Sequence, residues 1–149
     1  MDVLRSENPA WVYYVNRDAS QPAPKVCGKW MLFFRSTEAE RAEAVIRDAV
    51  ASGAFPCAKR TSDFALSAGL AKYDSIVCCL YLDGTDDEAQ REAVSYLMAN
   101  GLVGKTRAGR YRDLPFKFDT QTLAGEYGSS FTPKIRLSDF IDLETGSLL

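Results

Sequence analysis

The hydrophobic positions of the chain alternate between short β-prone runs and two longer segments with helical spacing. Each helical segment starts at Thr-x-x-Glu, carries apolar residues three and four positions apart, and stops at a glycine, which predicts helices from Thr37 to Gly53 and from Thr85 to Gly101. Runs of β-branched and aromatic residues predict strands. These predicted strands cover residues 10–15, 26–34, 76–82 and 114–119, and an extended segment covers residues 55–59.

The two strand–helix segments match each other at one offset of about 48 positions, so that Thr37 and Glu40 correspond to Thr85 and Glu88. Duplication would produce this match, and so would convergence, because caps and apolar stripes are generic features of helices. Two such units predict an α+β fold, with a largely antiparallel sheet and two main helices packed on one face.

Length and composition favour one domain. The chain has 149 residues, of which 46% are hydrophobic, so residues 1–149 are expected to form a single core, with flexible ends at 1–8 and 144–149. No apolar stretch approaches the roughly 20 residues that span a bilayer, and the N-terminus does not resemble a signal peptide. These features predict a cytoplasmic protein without a membrane partner.

The absence of histidine excludes more chemistry than any motif adds. The sequence has no histidine, so Ser-His-Asp and Cys-His catalysis and zinc sites that use imidazole are excluded. The four cysteines lie in apolar runs without a Cys-x-x-Cys pair, and are interpreted as reduced core residues. We therefore expect no metal, no cofactor and no complete catalytic set. The net charge of −2 argues against broad, charge-driven binding of nucleic acid.

Cations, hydroxyls and aromatic rings lie close together near the ends of several predicted strands. Lysine and arginine beside hydroxyls suit a phosphate, and an aromatic ring offers a stacking face to a base. The candidate ligand-binding residues are Lys59, Arg60, Thr61, Lys117, Asp119, Thr122, Trp30 and Tyr127. Competing interpretations are that Trp30 is a core residue, that Lys59 and Arg60 form a solvated strand end, and that Lys117 and Asp119 form a local ion pair.

A second basic segment runs from residue 105 to residue 112. It contains four cations and no acid, namely Lys105, Arg107, Arg110 and Arg112. The glycine-interrupted pattern predicts a loop or hairpin. It is interpreted either as a site for a negatively charged partner or as a solvated loop of an acidic protein.

Several of these segments together resemble one protein family. They are Gly28-Lys29-Trp30 with the apolar run that follows, Ala58-Lys59-Arg60-Thr61-Ser62, the strand from Ile76 to Asp83, and Phe116-Lys117-Phe118-Asp119-x-x-Thr122-x-x-Gly125-x-Tyr127. In order and approximate spacing they resemble the basophilic leukaemia expressed protein family over residues 26–128. The chain departs from the family pattern at Phe116, which is one position from the expected tyrosine, and at the inserted Arg60.

The resemblance implies a fold similar to translation initiation factor 4E, a curved antiparallel sheet backed by helices. It does not imply cap binding, which needs two tryptophans around a methylated base. Some members of the family are labelled phosphothreonine lyases, an activity that uses a lysine base and a histidine acid. This chain has lysines and no histidine.

Three functions follow from these patterns. The first is a non-catalytic domain that binds a phosphate-bearing, nucleotide-like ligand or a nucleic-acid end. The second is a phosphothreonine lyase-like or other phosphate-processing enzyme, with Lys117 as base and Arg60 as phosphate clamp. The third is a protein-binding inhibitor or adaptor, encoded by a phage or its host, that uses the aromatic residues Tyr13, Tyr14, Tyr111 and Tyr127.

Overall fold

Strands and helices follow one another along the chain much as the periodicity predicts. The computed structural model describes residues 2–71 and 74–149, and within these ranges it contains seven β-strands and four α-helices. The strands are β1 (Val3–Glu7), β2 (Trp11–Asn16), β3 (Cys27–Arg35), β4 (Cys57–Thr61), β5 (Ser75–Asp83), β6 (Pro115–Phe118) and β7 (Ile135–Arg136). The helices are α1 (Ala39–Ala51), α2 (Asp63–Ser67), α3 (Asp87–Ala99) and α4 (Asp119–Leu123).

Contacts within the chain cluster into two compact units. The first takes in the chain up to Gln21 together with Met31–Tyr81, and the second contains Pro22–Trp30 and Leu82–Leu149. The boundary falls inside β3 and inside β5, so each of these strands contributes residues to both units.

The first unit contains strands in the order β1-β2-β4-β5-β3, and α1 packs against β1, β2 and β4. The pairings β1–β2, β2–β4 and β4–β5 are antiparallel. Alternate residues of β2 and β4 therefore point towards α1, where its apolar stripe is buried. The fully buried side chains at this contact include Val12, Tyr14, Ile46 and Val50.

The second unit contains the strand order β3-β6-β7, with antiparallel pairing at both contacts. Its core is aromatic: Trp30 is fully buried, with ring centroids 5.2 Å from Phe116 and 6.5 Å from Phe140 in edge-on arrangements. The indole Nε1 of Trp30 donates a hydrogen bond of 2.9 Å to Oε1 of Gln90 on α3. The ring therefore buries its surface while its polar atom keeps a partner.

Both predicted capping boxes are wrong in detail. Instead of Thr37, Glu38 accepts from the backbone N–H of Arg35 at 3.0 Å, and a 3-10 turn, Ser36–Glu38, precedes α1. At the second helix the cap is Asp86, which accepts from the backbone N–H of Ala89 at 3.1 Å. Asp86 satisfies a free backbone donor of α3, whereas Glu38 bonds to the residue that precedes the 3-10 turn, and no described side chain caps α1 itself.

The α+β class and the antiparallel sheet are confirmed, whereas several boundaries differ from the prediction. Strand β1 and the short helix α2 were not predicted. Strand β1 lies within the segment 1–8 that was expected to be flexible, and Met1 of that segment lies outside the described residues. Strand β6 ends at Phe118, so Asp119 begins α4 rather than continuing the strand. Among the described residues, no helix is both long and apolar enough to cross a bilayer.

Candidate functional site

A cavity of about 340 Å³ lies beside Trp11 in the first unit. In the described part of the chain its walls are mainly apolar and include Pro9, Trp11, Ala65, Leu70 and Val77. Two hydroxyl residues, Thr61 and Ser75, complete the lining. An apolar cavity with a few polar groups is the usual form of a small-molecule site.

Strand pairing brings Lys59 to the same neighbourhood. Tyr13 of β2 lies opposite Lys59 of β4, and Trp11 lies opposite Thr61, so these four side chains share one sheet face. The ammonium of Lys59 lies 4.0 Å from the centroid of the Trp11 ring, a distance typical of a cation–π contact. The partly exposed indole of Trp11 therefore borders the cavity and also contacts the Lys59 ammonium.

The neighbouring Arg60 points to the other face of the sheet, towards α1. It is only 3% exposed, and its Nη2 lies 2.7 Å from Oε2 of Glu43. Its Nη1 donates to the carbonyl oxygen of Thr61 at 2.9 Å and pairs with Asp63 at 3.2 Å. The period of two along β4 thus separates Arg60 from Lys59 and Thr61, although the three are adjacent in sequence.

Glu43 is the centre of a charge network on this helix-covered face. Its Oε2 accepts from the hydroxyl of Tyr14 and from Arg60, and its Oε1 lies 3.3 Å from Arg5 and 2.9 Å from Arg47. Buried cations are tolerated when a carboxylate neutralises them and hydrogen bonds satisfy their donors. The network accounts for the buried Arg60 as part of the fold.

Cys78 lies near the same network on β5. Burial raises the pKa of its thiol to about 12, with a smaller contribution from Cys79. A raised pKa keeps the sulfur protonated, and the thiolate is the reactive form.

We therefore expect Cys78 to resist alkylation at pH 8, since this pH lies far below its pKa of about 12. The partly exposed Cys57 should react first. Iodoacetamide labelling followed by peptide mass spectrometry measures both sites in one sample. Labelling in guanidinium chloride is the control and should make them equally reactive. Rapid modification of Cys78 in the native protein would contradict the expectation.

A second cluster lies in the second unit, where Lys29 of β3 faces Lys117 of β6. Directly opposed residues share a sheet face, so two ammonium groups are held on one side of this strand pair. Both side chains are buried, with exposures of 9% for Lys29 and 7% for Lys117. Lys29 pairs with Asp119 at 3.5 Å, so the predicted local pair between Lys117 and Asp119 is replaced by a pair between β3 and the start of α4.

The ammonium of Lys117 is surrounded by a carbonyl and two rings. It donates to the carbonyl oxygen of Glu126 at 2.5 Å, and lies 4.0 Å from the Tyr127 centroid and 5.1 Å from that of Phe131. Within the described residues it forms no ion pair. Burial lowers the pKa of Lys117, the charge of Lys29 lowers it further, and Glu126 opposes this effect.

The remaining predicted ligand residues have varied surroundings. Trp30 is fully buried in the core of its unit and exposes no stacking face. Thr122 is on α4, and its Oγ1 has no hydrogen-bond partner in the described part of the chain. Tyr127 is 61% exposed, whereas Tyr14, named above for a protein interface, is fully buried.

The basic segment 105–112 folds back on itself. Lys105 and Tyr111 form an antiparallel bridge, and the ammonium of Lys105 lies 4.9 Å from the Tyr111 ring. Arg110 pairs with Glu144 at 3.3 Å, while Arg107 and Arg112 are exposed. The segment is a short hairpin-like loop in which one of the four cations has an acidic partner.

No family model matches the chain, and no curated protein matches it. Among the described residues, no group of three or more cysteine, aspartate or glutamate side chains is placed to hold a metal ion.

Sequence reasoning did not assign Trp11, Glu43 and Lys29 to these clusters. Trp11 follows Pro9 and begins β2, a position where a ring can stay partly exposed, and this is a usable signal. Glu43 lies beside the apolar stripe of α1. From this position a carboxylate can reach the sheet, so the helical pattern could have indicated a buried ion pair. Lys29 lies between buried residues of β3, and only the pairing with β6 shows that it faces Lys117.

Proposed function

We propose that this protein binds a phosphate-bearing, nucleotide-like ligand without catalysing a reaction, and that the ligand occupies the cavity beside Trp11. The observation that carries the proposal is the combination of an apolar cavity, an indole ring and the Lys59 ammonium 4.0 Å from that ring. A nucleobase needs apolar walls and a stacking surface, while its phosphate needs a cation.

The dimensions favour a small ligand. A volume of about 340 Å³ is near the lower end of the roughly 300–1,000 Å³ usual for ligand pockets, which suits one nucleotide better than a chain. Thr61 accepts a hydrogen bond of 2.9 Å from the backbone N–H of Val77, and its O–H group can still donate to a ligand. Arg60 is neutralised by Glu43 and holds the strand in place rather than the phosphate.

Isothermal titration with adenosine monophosphate, guanosine monophosphate and adenosine tests the proposal. Trp11→Ala is expected to weaken binding of all three by about tenfold, since stacking of a base on an aromatic ring contributes roughly 1–3 kcal/mol. Lys59→Met should weaken the two phosphorylated ligands and leave adenosine unchanged, because only the phosphate meets the ammonium.

Lys105→Met is the matched control, because Lys105 also contacts an aromatic ring but lies in the other unit. It should bind all three ligands like the unaltered protein. No heat change with any ligand at millimolar concentration would contradict the proposal. Equal effects of Lys59→Met and Lys105→Met would contradict the role of Lys59.

Membership of the basophilic leukaemia expressed protein family, an initiation factor 4E-like arrangement and a cytoplasmic location belong to the same proposal. The antiparallel strands and the α+β class support the first two. Cys27, Cys78 and Cys79 are buried and Cys57 is partly buried, which suits reduced core residues in a reducing compartment and supports the third.

A second candidate, a protein-binding adaptor, is favoured by one observation. Phe33, Phe64 and Leu70 of the first unit are exposed by 64%, 58% and 68%. Large exposed apolar side chains are common at protein interfaces. Affinity capture that compares the unaltered protein with a Phe33→Ser/Phe64→Ser variant tests this candidate: a stoichiometric partner should be lost with the variant, and its retention would contradict the candidate.

A further inference from the structure

Lys117 lies in an environment that differs from that of the other described lysines. It is 7% exposed, has no carboxylate partner in the described part of the chain, and is held against the rings of Tyr127 and Phe131. Lysine is among the residues that are seldom buried without a paired charge. An unpaired, desolvated amine beside a second cation is the arrangement that makes lysine a nucleophile in proteins.

The second cation is Lys29, which register places directly opposite Lys117 on the same face of the β3–β6 pair. Like charges in close proximity disfavour the protonated form, and so does removal from water. Both effects lower the pKa of Lys117. The charged and titratable groups facing it are Lys29 from β3, Glu126 and Tyr127 from the segment after α4, and Asp119 through its pair with Lys29.

We propose that Lys117 is a reactive amine that forms a Schiff base with a small carbonyl compound bearing an acidic group, such as a 2-oxo acid. The carbonyl carbon meets the nitrogen of Lys117, and the carboxylate of the ligand lies beside Lys29. This site is in the second unit, and the proposal is independent of ligand binding beside Trp11.

The reaction is balanced without any additional reagent. The ammonium of Lys117 first releases a proton to solvent, and the free amine attacks the carbonyl carbon. A carbon–nitrogen bond forms while the π bond of the carbonyl breaks, and the oxygen takes up a proton as the nitrogen releases one. The resulting carbinolamine then loses water, so that one amine and one carbonyl yield one imine and one water molecule. The reaction needs no oxidant or reductant.

The segment around Tyr127 provides the route to the amine. The Tyr127 ring lies 4.0 Å from the ammonium, and the residue itself is 61% exposed, so the contact of Lys117 with this ring is at the protein surface. Gly125 and Gly128 flank it with φ angles of 78° and 54°, in the left-handed region that glycine adopts without strain. We expect a small reactant to approach the amine where the Tyr127 ring is displaced.

The test uses glyoxylate, the smallest 2-oxo acid, with sodium cyanoborohydride to trap the imine and peptide mass spectrometry to locate it. At pH 7 we expect Lys117 to be labelled several-fold faster than the exposed Lys134, because a lowered pKa leaves a larger fraction of the amine unprotonated. The labelling rate of Lys117 should also level off at a lower pH than that of Lys134.

Two variants separate the charge effect from simple access. Lys29→Met removes the neighbouring charge and should slow labelling of Lys117 at pH 7 by several-fold, whereas Lys29→Arg should preserve the rate because arginine keeps the charge. Circular dichroism serves as the control that each variant is folded.

The comparison of Lys117 with Lys134 in the unaltered protein does not depend on either variant. Labelling of Lys117 no faster than Lys134 would overturn the proposal, and so would equal pH profiles for the two sites. Faster labelling of Lys117 in Lys29→Met would also overturn it, because that result would indicate a purely structural lysine released by loosened packing.

Discussion

Replacement of Glu43 by alanine is expected to lower the free energy of unfolding by about 3 kcal/mol, near the low end of the range for breaking a buried ion pair because Glu43 keeps some exposure. The substitution leaves the guanidinium of Arg60, which is 3% exposed, with only the exposed carboxylate of Asp63 as an ion-pair partner among the described residues, and it removes the acceptor of the Tyr14 hydroxyl. Urea unfolding followed by circular dichroism measures the change.

Glu40→Ala is the matched control for this prediction. Glu40 is an exposed glutamate on the same helix, one turn earlier, and its loss should change stability by less than about 0.5 kcal/mol. The double variant Glu43→Leu/Arg60→Met should recover much of the loss, because apolar residues of similar size replace a buried pair without leaving a charge. Equal stability of the Glu43 and Glu40 variants would show that the network contributes little.

Replacement of Trp30 by alanine is expected to lower the free energy of unfolding by about 4 kcal/mol, as for other large aromatic residues removed from a core. The ring is fully buried against Phe116 and Phe140, and its loss also removes the donor to Oε1 of Gln90. The orphaned acceptor adds to the cost of the cavity. Urea unfolding followed by circular dichroism measures the change in the free energy of unfolding.

The second tryptophan is the natural comparison. Trp11→Ala should cost clearly less than Trp30→Ala, because Trp11 is partly exposed and borders a cavity. A Trp11→Phe variant isolates the fluorescence of Trp30, and acrylamide should quench this fluorescence very little. Similar losses of stability for the two alanine variants, or ready quenching of Trp30, would contradict the placement of Trp30 in the core.

Periodicity predicted the main elements because it depends on local burial. The apolar stripe that ends in Ala49 and Val50 and the β-prone run of β5 are local patterns that the surrounding fold accepts unchanged. The capping boxes were predicted wrongly because Asp86 rather than Thr85 caps α3, and because a 3-10 turn closed by the bond from Arg35 to Glu38 precedes α1. The choice between neighbouring cap residues depends on the path of the preceding turn, which single-residue preferences do not specify.

The sequence by itself determined the α+β class, the antiparallel strands and the exclusion of histidine chemistry, because these depend on residue type and spacing along the chain. The partners of the cations depended on tertiary structure. Lys59 and Arg60 are adjacent in sequence, yet strand alternation sends one to Trp11 and the other to Glu43. Lys29 and Lys117 are far apart in sequence, and antiparallel register alone makes them neighbours. A sheet sets such pairs through long-range hydrogen bonds between strands, which leave no periodic trace in the chain.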